Sequence, residues 1–331
     1  MKKFDVFGIG NALVDCVCLV EDSFLEKNNI EKGLMTLVDE KKQKKIIDKI
    51  NDSKPFIQSG GSVPNSIYTL SQLGGSGYLS ILVSEDKYGK IYIDDLKNSG
   101  IHTGGKKYTI DDGMTGSCLV LTTPDGERTM NTCLSVSSKF SSKNINFDDL
   151  KLSKYLYIEG YLVTSDIAIE AIRKSIEFSK KNNIKIALTF SDLSMVKYFK
   201  DKFHFILDNK IDLLFCNEEE ALTYSGTDKI EEAYQYLLKF SSMVIITMGG
   251  AGSIIINDSG VKIKIEPYKT NPLDTVGAGD TYAGAFLYGI NNGMTIKQSG
   301  NLASALSSKV ISKLGPRLEK SDIDCIKQSL V

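Results

Sequence analysis

The 331 residues carry 40 lysines and arginines against 41 aspartates and glutamates, for a formal net charge of -1, with 42% hydrophobic and 24% charged residues. This is the composition of an ordinary globular enzyme, long enough for one large α/β domain or for a large domain with a smaller one. Nucleic acid is excluded as an expected partner, because no basic block stands out beyond Lys41, Lys42, Lys44 and Lys45, which read as the polar side of a helix.

In chain order, 4–10 reads as a buried strand, and 12–20 with 34–38 lack a helical period and read as two further strands. Helices are expected over 40–50 and over 62–73, the second closed by Gly74 and Gly75. A strand over 78–83 and a helix over 86–98, closed by Gly100, follow. Segments 115–123 and 128–134 flank Pro124-Asp125-Gly126-Glu127, a hairpin signal. Strand 155–158, helix 165–181, strand 185–190, helix 192–207 and strands 213–216 and 243–248 continue the pattern. A hairpin of 253–256 and 261–265 belongs on the sheet edge, and helices 281–290 and 296–312 come last. Such βα alternation predicts an α/β fold with a mostly parallel sheet covered by helices on both faces. The four strands at 12–20, 34–38, 115–123 and 128–134 fall outside that rhythm and predict a small β-sheet lid at one edge.

The six cysteines (Cys16, Cys18, Cys118, Cys133, Cys216 and Cys325) form no CxxC pair. With only His102 and His204 available, a His-based zinc site or triad is not expected. Free thiols in a reducing cytosol are the expectation. There is no signal-like segment and no long apolar span, so a cytoplasmic protein with no membrane partner is expected. Arginine is scarce, with only Arg128, Arg173 and Arg317, which makes each one worth examining.

The most informative string is Asp274-Thr275-Val276-Gly277-Ala278-Gly279-Asp280, which leads directly into an apolar helix. The first N–H groups of a helix lack intrahelical acceptors and lie at the positive end of its dipole. Glycines let that backbone approach a ligand, so the turn suits a phosphate. A carboxylate beside such an anion hole suits a site that takes a proton from a hydroxyl while stabilising a moving phosphoryl group. An N-cap following a glycine turn is the plain structural alternative.

Other candidates are weaker singly. Gly8-Ile9-Gly10-Asn11-Ala12-Leu13 fails as a dinucleotide fingerprint, because Leu13 stands where the third glycine belongs. No GxxxxGK[ST] loop or protein-kinase signature occurs. Asn11 and Asp15 are the polar side chains of an apolar run, and Asp15 could hold a pair of adjacent hydroxyls. Gly60-Gly61-Ser62-Val63-Pro64-Asn65 opens a helix, with Ser62 able to cap and Asn65 on the first turn. Asn217-Glu218-Glu219-Glu220 follows a strand and is either a dipole-favoured helix start or a site ordering water around magnesium. Thr247 and the glycines Gly249 and Gly252 read either as a tight hairpin entry or as a backbone against which a nucleotide lies.

Together these five places resemble, in order and spacing, the ribokinase-like (PfkB) family of carbohydrate and nucleoside kinases. The resemblance runs from end to end and implies a three-layer α/β/α domain with a small β lid. Residues 1–11, 39–101 and 135–331 would form the large nucleotide-binding domain; 12–38 and 102–134 would form the lid. By the resemblance, Asp280 is the catalytic base, with the Gly277, Ala278 and Gly279 amides as anion hole. Asn11, Asp15, Gly60, Gly61 and Asn65 would hold the acceptor. Asn217, Thr247, Gly249, Gly252 and Asn301 would line the ATP site, and Glu220 would support Mg2+ through water. Arg128, just after the lid turn, is expected to approach the transferring phosphate on closure. A monovalent cation is a further expected candidate cofactor, and a monomer or a lid-mediated homodimer fits equally.

Within the family, Gly10-Asn11-Ala12-Leu13-Val14-Asp15, Thr115-Gly116-Ser117-Cys118 and Gly126-Glu127-Arg128 look most like adenosine kinases. The acceptor would then be a ribonucleoside 5′-hydroxyl, with Asp15 on the ribose diol. Val17, Leu37 and Leu134 of the lid, and Tyr161 or Leu162, would neighbour the base. One departure stands out: 12–20 carries no aromatic residue to stack on it. A sugar kinase acting on ribose, fructose or a keto-sugar acid is the alternative, and a catalytically silent nucleotide-binding protein is a third reading.

Overall fold

The computed structural model of the protein describes residues 2–50, 55–104, 109–110 and 113–330. Where the chain is most continuously apolar it forms strands buried on both faces, as parallel sheets under helices require. Nine strands make one sheet in the order Lys262–Ile265, Ser253–Asn257, Ser241–Thr247, Ile211–Asn217, Lys185–Thr189, Ser153–Ile158, Phe4–Ile9, Gly77–Ser80 and His102–Thr103. All neighbours are parallel except the edge hairpin, Ser253–Asn257 with Lys262–Ile265, which runs antiparallel from Ser241–Thr247 onward.

Alternation along each strand divides the core. Val6, Tyr157, Leu213 and Phe215 face one side with Phe286 and Leu302. Phe7, Leu156, Ile158 and Leu214 face the other with Ile172, Phe203 and Tyr224. Three buried helices carry the first side: Ser62–Gln72, Ala278–Asn291 and Ile296–Val310. Among the described residues no helix is long and apolar enough to cross a membrane.

The second sheet has the order Met35–Leu37, Arg128–Cys133, Ser117–Thr122, Leu13–Leu19 and Phe56–Gly60. Val14, Cys16, Leu119 and Leu121 turn one face onto the core. The buried Gln43 side chain locks that face by donating to the Ser117 and Asn131 carbonyls, at 3.1 and 3.0 Å, and accepting from the Ser117 hydroxyl. The opposite face carries the row Asp15, Cys118, Thr132, Leu37, in register across four strands.

The expected α/β alternation and small sheet are present, with differences of detail. Phe56–Gly60, placed by the sequence within the large domain, is the fifth strand of the small sheet, antiparallel to Leu13–Leu19. Its Phe-Ile-Gln-Ser-Gly run has no alternation to mark it, and Phe56 is exposed because the strand is an edge. His102–Thr103, grouped with the lid, is instead the outer strand of the large sheet. The helix expected over 192–207 is two, Leu193–Tyr198 and Lys200–Leu207, separated where Phe199 leaves helical geometry at φ -126° and ψ 29°.

One crossing brings distant parts of the chain together. A Cβ on Gly284 would lie 2.1 Å from the Ser66 carbonyl oxygen, so only glycine lets the helices Ser62–Gln72 and Ala278–Asn291 approach this closely. Gly284→Ala is therefore expected to force the helices apart, at a cost of about 1–3 kcal/mol. Urea melts of wild type and variant check this; an unchanged midpoint would contradict the packing argument.

Candidate active site

A cavity of about 620 Å³ opens between the small sheet and the C-terminal ends of the large-sheet strands, where ligands bind in open α/β sheets. Its floor is the turn into Ala278–Asn291. Gly277 is the N-cap, left-handed at φ 79°, and no side chain caps this helix. A Cβ on Gly277 would lie 2.4 Å from the Pro316 carbonyl oxygen, while Gly279 has open space where a side chain would stand. The first amides of the helix thus face the cavity with room for a ligand to approach.

Asp280 is on the first turn of this helix, beside those amides. It accepts a hydrogen bond from the Ser62 hydroxyl at 2.6 Å and one from the Asn65 amide at 3.1 Å. Burial pushes its carboxyl up to about 6, against the opposing effect of those two hydrogen bonds and of the Arg317 charge. Ser62, read from the sequence as a cap, is instead the first helical residue after the N-cap Gly61, and its hydroxyl serves Asp280.

Asp15 reaches the cavity from the small sheet. Burial pushes its carboxyl up to about 7, with Arg317 and Arg128 opposing and Asp280 reinforcing. Gly60 makes room for it: a Cβ there would lie 2.5 Å from the Asp15 carboxyl. Gly61 adopts φ 98°, and a Cβ on it would meet the Asn11 carbonyl oxygen at 2.4 Å. Asn11, Asp15, Gly61 and Asn65 line the cavity; Gly60 supports it from behind.

Glu159, which the sequence analysis missed, is 1% exposed and lines the same cavity. Its carboxylate accepts the backbone N–H of Asn11 and of Val63, both at 3.0 Å, so it joins the end of the first strand to the start of a helix. Burial pushes it up to about 7 despite those two bonds. The available signal was a lone acid directly after the apolar strand Ser153–Ile158.

At the other end, Asn217 and Glu220 form a reciprocal cap. The Asn217 side chain accepts from the Glu220 N–H at 2.8 Å, and Glu220 accepts from the Asn217 N–H at 2.9 Å. This is the helix-start alternative, yet both residues, with Thr247 and Gly249, also line the cavity. Burial pushes Glu220 up to about 7. Gly252 does not line it: at φ 87°, with a Cβ position 2.1 Å from the Ile265 carbonyl oxygen, it is a hairpin glycine. Asn301 is on the helix Ile296–Val310, outside the lining. Among the described residues no group of three or more His, Cys, Asp or Glu is placed to hold a metal ion.

Arg128 does not line the cavity in this structure. Its guanidinium pairs with Asp274 at 2.5 Å, with side-chain exposures of 11% and 2%. Asp274 also accepts from the N–H of Gly315 at 2.7 Å and of Val276 at 3.1 Å. The acid at the head of the motif therefore ties the lid to the anion-hole turn.

Asp15, Glu159, Glu220 and Asp280 all hold a proton more tightly folded than unfolded. Their contribution to stability is complete below their ordinary values near pH 4 and is lost as pH rises to about 7. The melting temperature of the ligand-free protein is expected to fall between about pH 5.5 and pH 8. Thermal melts across that interval test this, and a rising Tm would refute it.

Known proteins are similar to this chain in sequence and fold. The pfkB family carbohydrate kinase model matches residues 44–323. Adenosine kinase 2 of Arabidopsis thaliana is 26% identical over 94% of each chain. A 5-dehydro-2-deoxygluconokinase of Bacillus licheniformis is 25% identical over 94% of this chain and 91% of that one. The crystal structure of adenosine kinase from Sinorhizobium meliloti superposes with a TM-score of 0.91 at 29% identity, covering 99% of both chains. The chain belongs to the pfkB family of carbohydrate kinases, and is an ATP-dependent kinase with a hydroxyl acceptor.

Proposed function

We propose that the protein transfers the γ-phosphoryl group of ATP to the 5′-hydroxyl of a ribonucleoside, adenosine first among them. The observation that carries the choice of acceptor is the lid face around Asp15. Leu13, Met35, Leu37, Cys118, Met130 and Leu134 line the cavity there, with Thr132 as the polar exception. An apolar wall of this kind suits the flat face of a base and offers little to a polyhydroxy chain. Of the sequence-expected base neighbours, Leu37, Leu134 and Tyr161 line the cavity, whereas Val17 and Leu162 do not. Glu159 already accepts two backbone N–H groups, one on each carboxylate oxygen.

In this reading Asp15 accepts the ribose hydroxyls and Asp280 takes the proton of the attacking hydroxyl. The oxygen forms a bond to the γ-phosphorus as the bond to the β–γ bridging oxygen breaks, and ADP leaves. The amides at Gly277–Asp280 face the negative charge that develops on the phosphoryl oxygens. Asn217, Thr247 and Gly249 would hold the adenine nucleotide, and Glu220 would support the Mg2+ that neutralises its phosphate charge. Arg128 leaves Asp274 for the phosphate only if the lid moves.

Asp280→Asn is expected to lower kcat by about 10²–10⁴-fold, the usual worth of a general base. Because the base must be ionised and its carboxyl is raised to about 6, kcat/KM should fall as pH drops through that value. A steady-state pH series checks both. An ATP-consumption screen across nucleosides and sugars tests the acceptor: turnover of a keto-sugar acid or ribose without turnover of adenosine would replace the nucleoside reading by the sugar-kinase one.

A further inference from the structure

The base is held by a side chain that is itself held. Asn65 donates one amide hydrogen to Asp280, and its carbonyl oxygen accepts from Arg317 Nε at 2.8 Å. An asparagine side chain has two ends of nearly equal shape, one donating and one accepting. If the accepting end turned towards Asp280, two oxygens would face each other and the carboxylate would lose a donor. Arg317 can donate but never accept, so its contact fixes the orientation.

Arg317 is in turn immobilised. Its Nη1 pairs with Asp95 at 2.6 Å, its guanidinium stacks 4.6 Å from the Tyr68 ring centroid, and its side chain is 11% exposed. Tyr68 is anchored by its hydroxyl to the Leu318 carbonyl at 3.1 Å. The third arm, Nη2, is buried without a partner among the described residues.

The two preceding residues serve the same site. Gly315 donates its N–H to Asp274, and Pro316 packs on Gly277. Three consecutive residues near the end of the chain thus support the anion-hole turn and the base together.

We propose that Arg317 is a positioning residue for the phosphoryl-transfer step, orienting the Asn65 amide so that it donates to Asp280 and keeps that carboxylate available as the base. The proposal rests on the reading of Asp280 as base. The charged and titratable groups around Asp280 are Arg317, which favours its ionised form, and Asp15, Glu159, Tyr157 and Tyr161, whose own titration its charge disfavours. Among the described residues Arg317 is the one cation of this group, so its loss raises the pH at which the base ionises.

The test is the acid limb of kcat/KM against pH for wild type, Arg317→Gln, Arg317→Met and Asp280→Asn, with melting curves confirming folded protein. In Arg317→Gln the limb is expected to move up by roughly half to one pH unit. Near pH 6 this variant should lose about two- to fivefold more activity than near pH 8.5. A support role in packing alone would lower activity evenly at all pH values. A limb at the wild-type position in folded Arg317→Gln overturns the proposal, and the same result in Arg317→Met does so if the glutamine variant does not fold. Full activity in Asp280→Asn would instead refute the assignment of the base, whatever the Arg317 variants show.

Discussion

The contact between Gly284 and Ser66 is the constraint on which the site depends. Two helices more than two hundred residues apart in the chain cross where the backbone of one, at Ser66, leaves room on the other for nothing larger than the hydrogen of Gly284. Because they cross so closely, the first turn of one presents Ser62 and Asn65 to the first turn of the other, which bears Asp280. Both helices begin at the cavity, so their unpaired amides and dipoles point towards the same space. Glu159 completes the junction by taking the Val63 N–H that the glycine cap leaves open.

This geometry gathers negative charge. Asp15, Glu159 and Asp280 share a small volume, and burial raises each of them. Of the three arginines in the chain, two are placed against this cluster. Arg317 lies under Asn65 and Arg128 lies on Asp274, whereas Arg173 is exposed and pairs along its own helix with Glu170 and Glu177. Among the described residues no lysine lines the cavity. A rigid fork that serves two acceptors at once suits a crowded, desolvated place better than a flexible ammonium.

Much of this was legible in the sequence, for physical reasons. Apolar runs bounded by glycine marked the parallel strands, and the Gly277–Asp280 turn announced an uncapped helix beside a carboxylate. Phe56–Gly60 was not legible, because an edge strand without alternation looks like a loop. Glu159 was hidden since a single acid after a strand reads as a surface charge. Arg317 gave only its rarity as a clue: its partners Asn65 and Asp95 are more than two hundred residues away, and no local pattern encodes such a meeting. Gly252 misled because glycine needed for a hairpin and glycine needed for a ligand look the same until the backbone is seen.

The order of strands in the two sheets also dictates how the chain must assemble. Phe4–Ile9 pairs with Gly77–Ser80 on one side and Ser153–Ile158 on the other. Leu13–Leu19 pairs with Phe56–Gly60 on one side and Ser117–Thr122 on the other. Each of these strands therefore completes its pairing only with a partner roughly a hundred residues or more further along the chain, and that pairing closes a long loop before it gains any contact energy. Until then two highly apolar strands have unpaired edges. The aggregation hazard of this fold therefore lies in these two strands before their distant partners dock, rather than at the finished site.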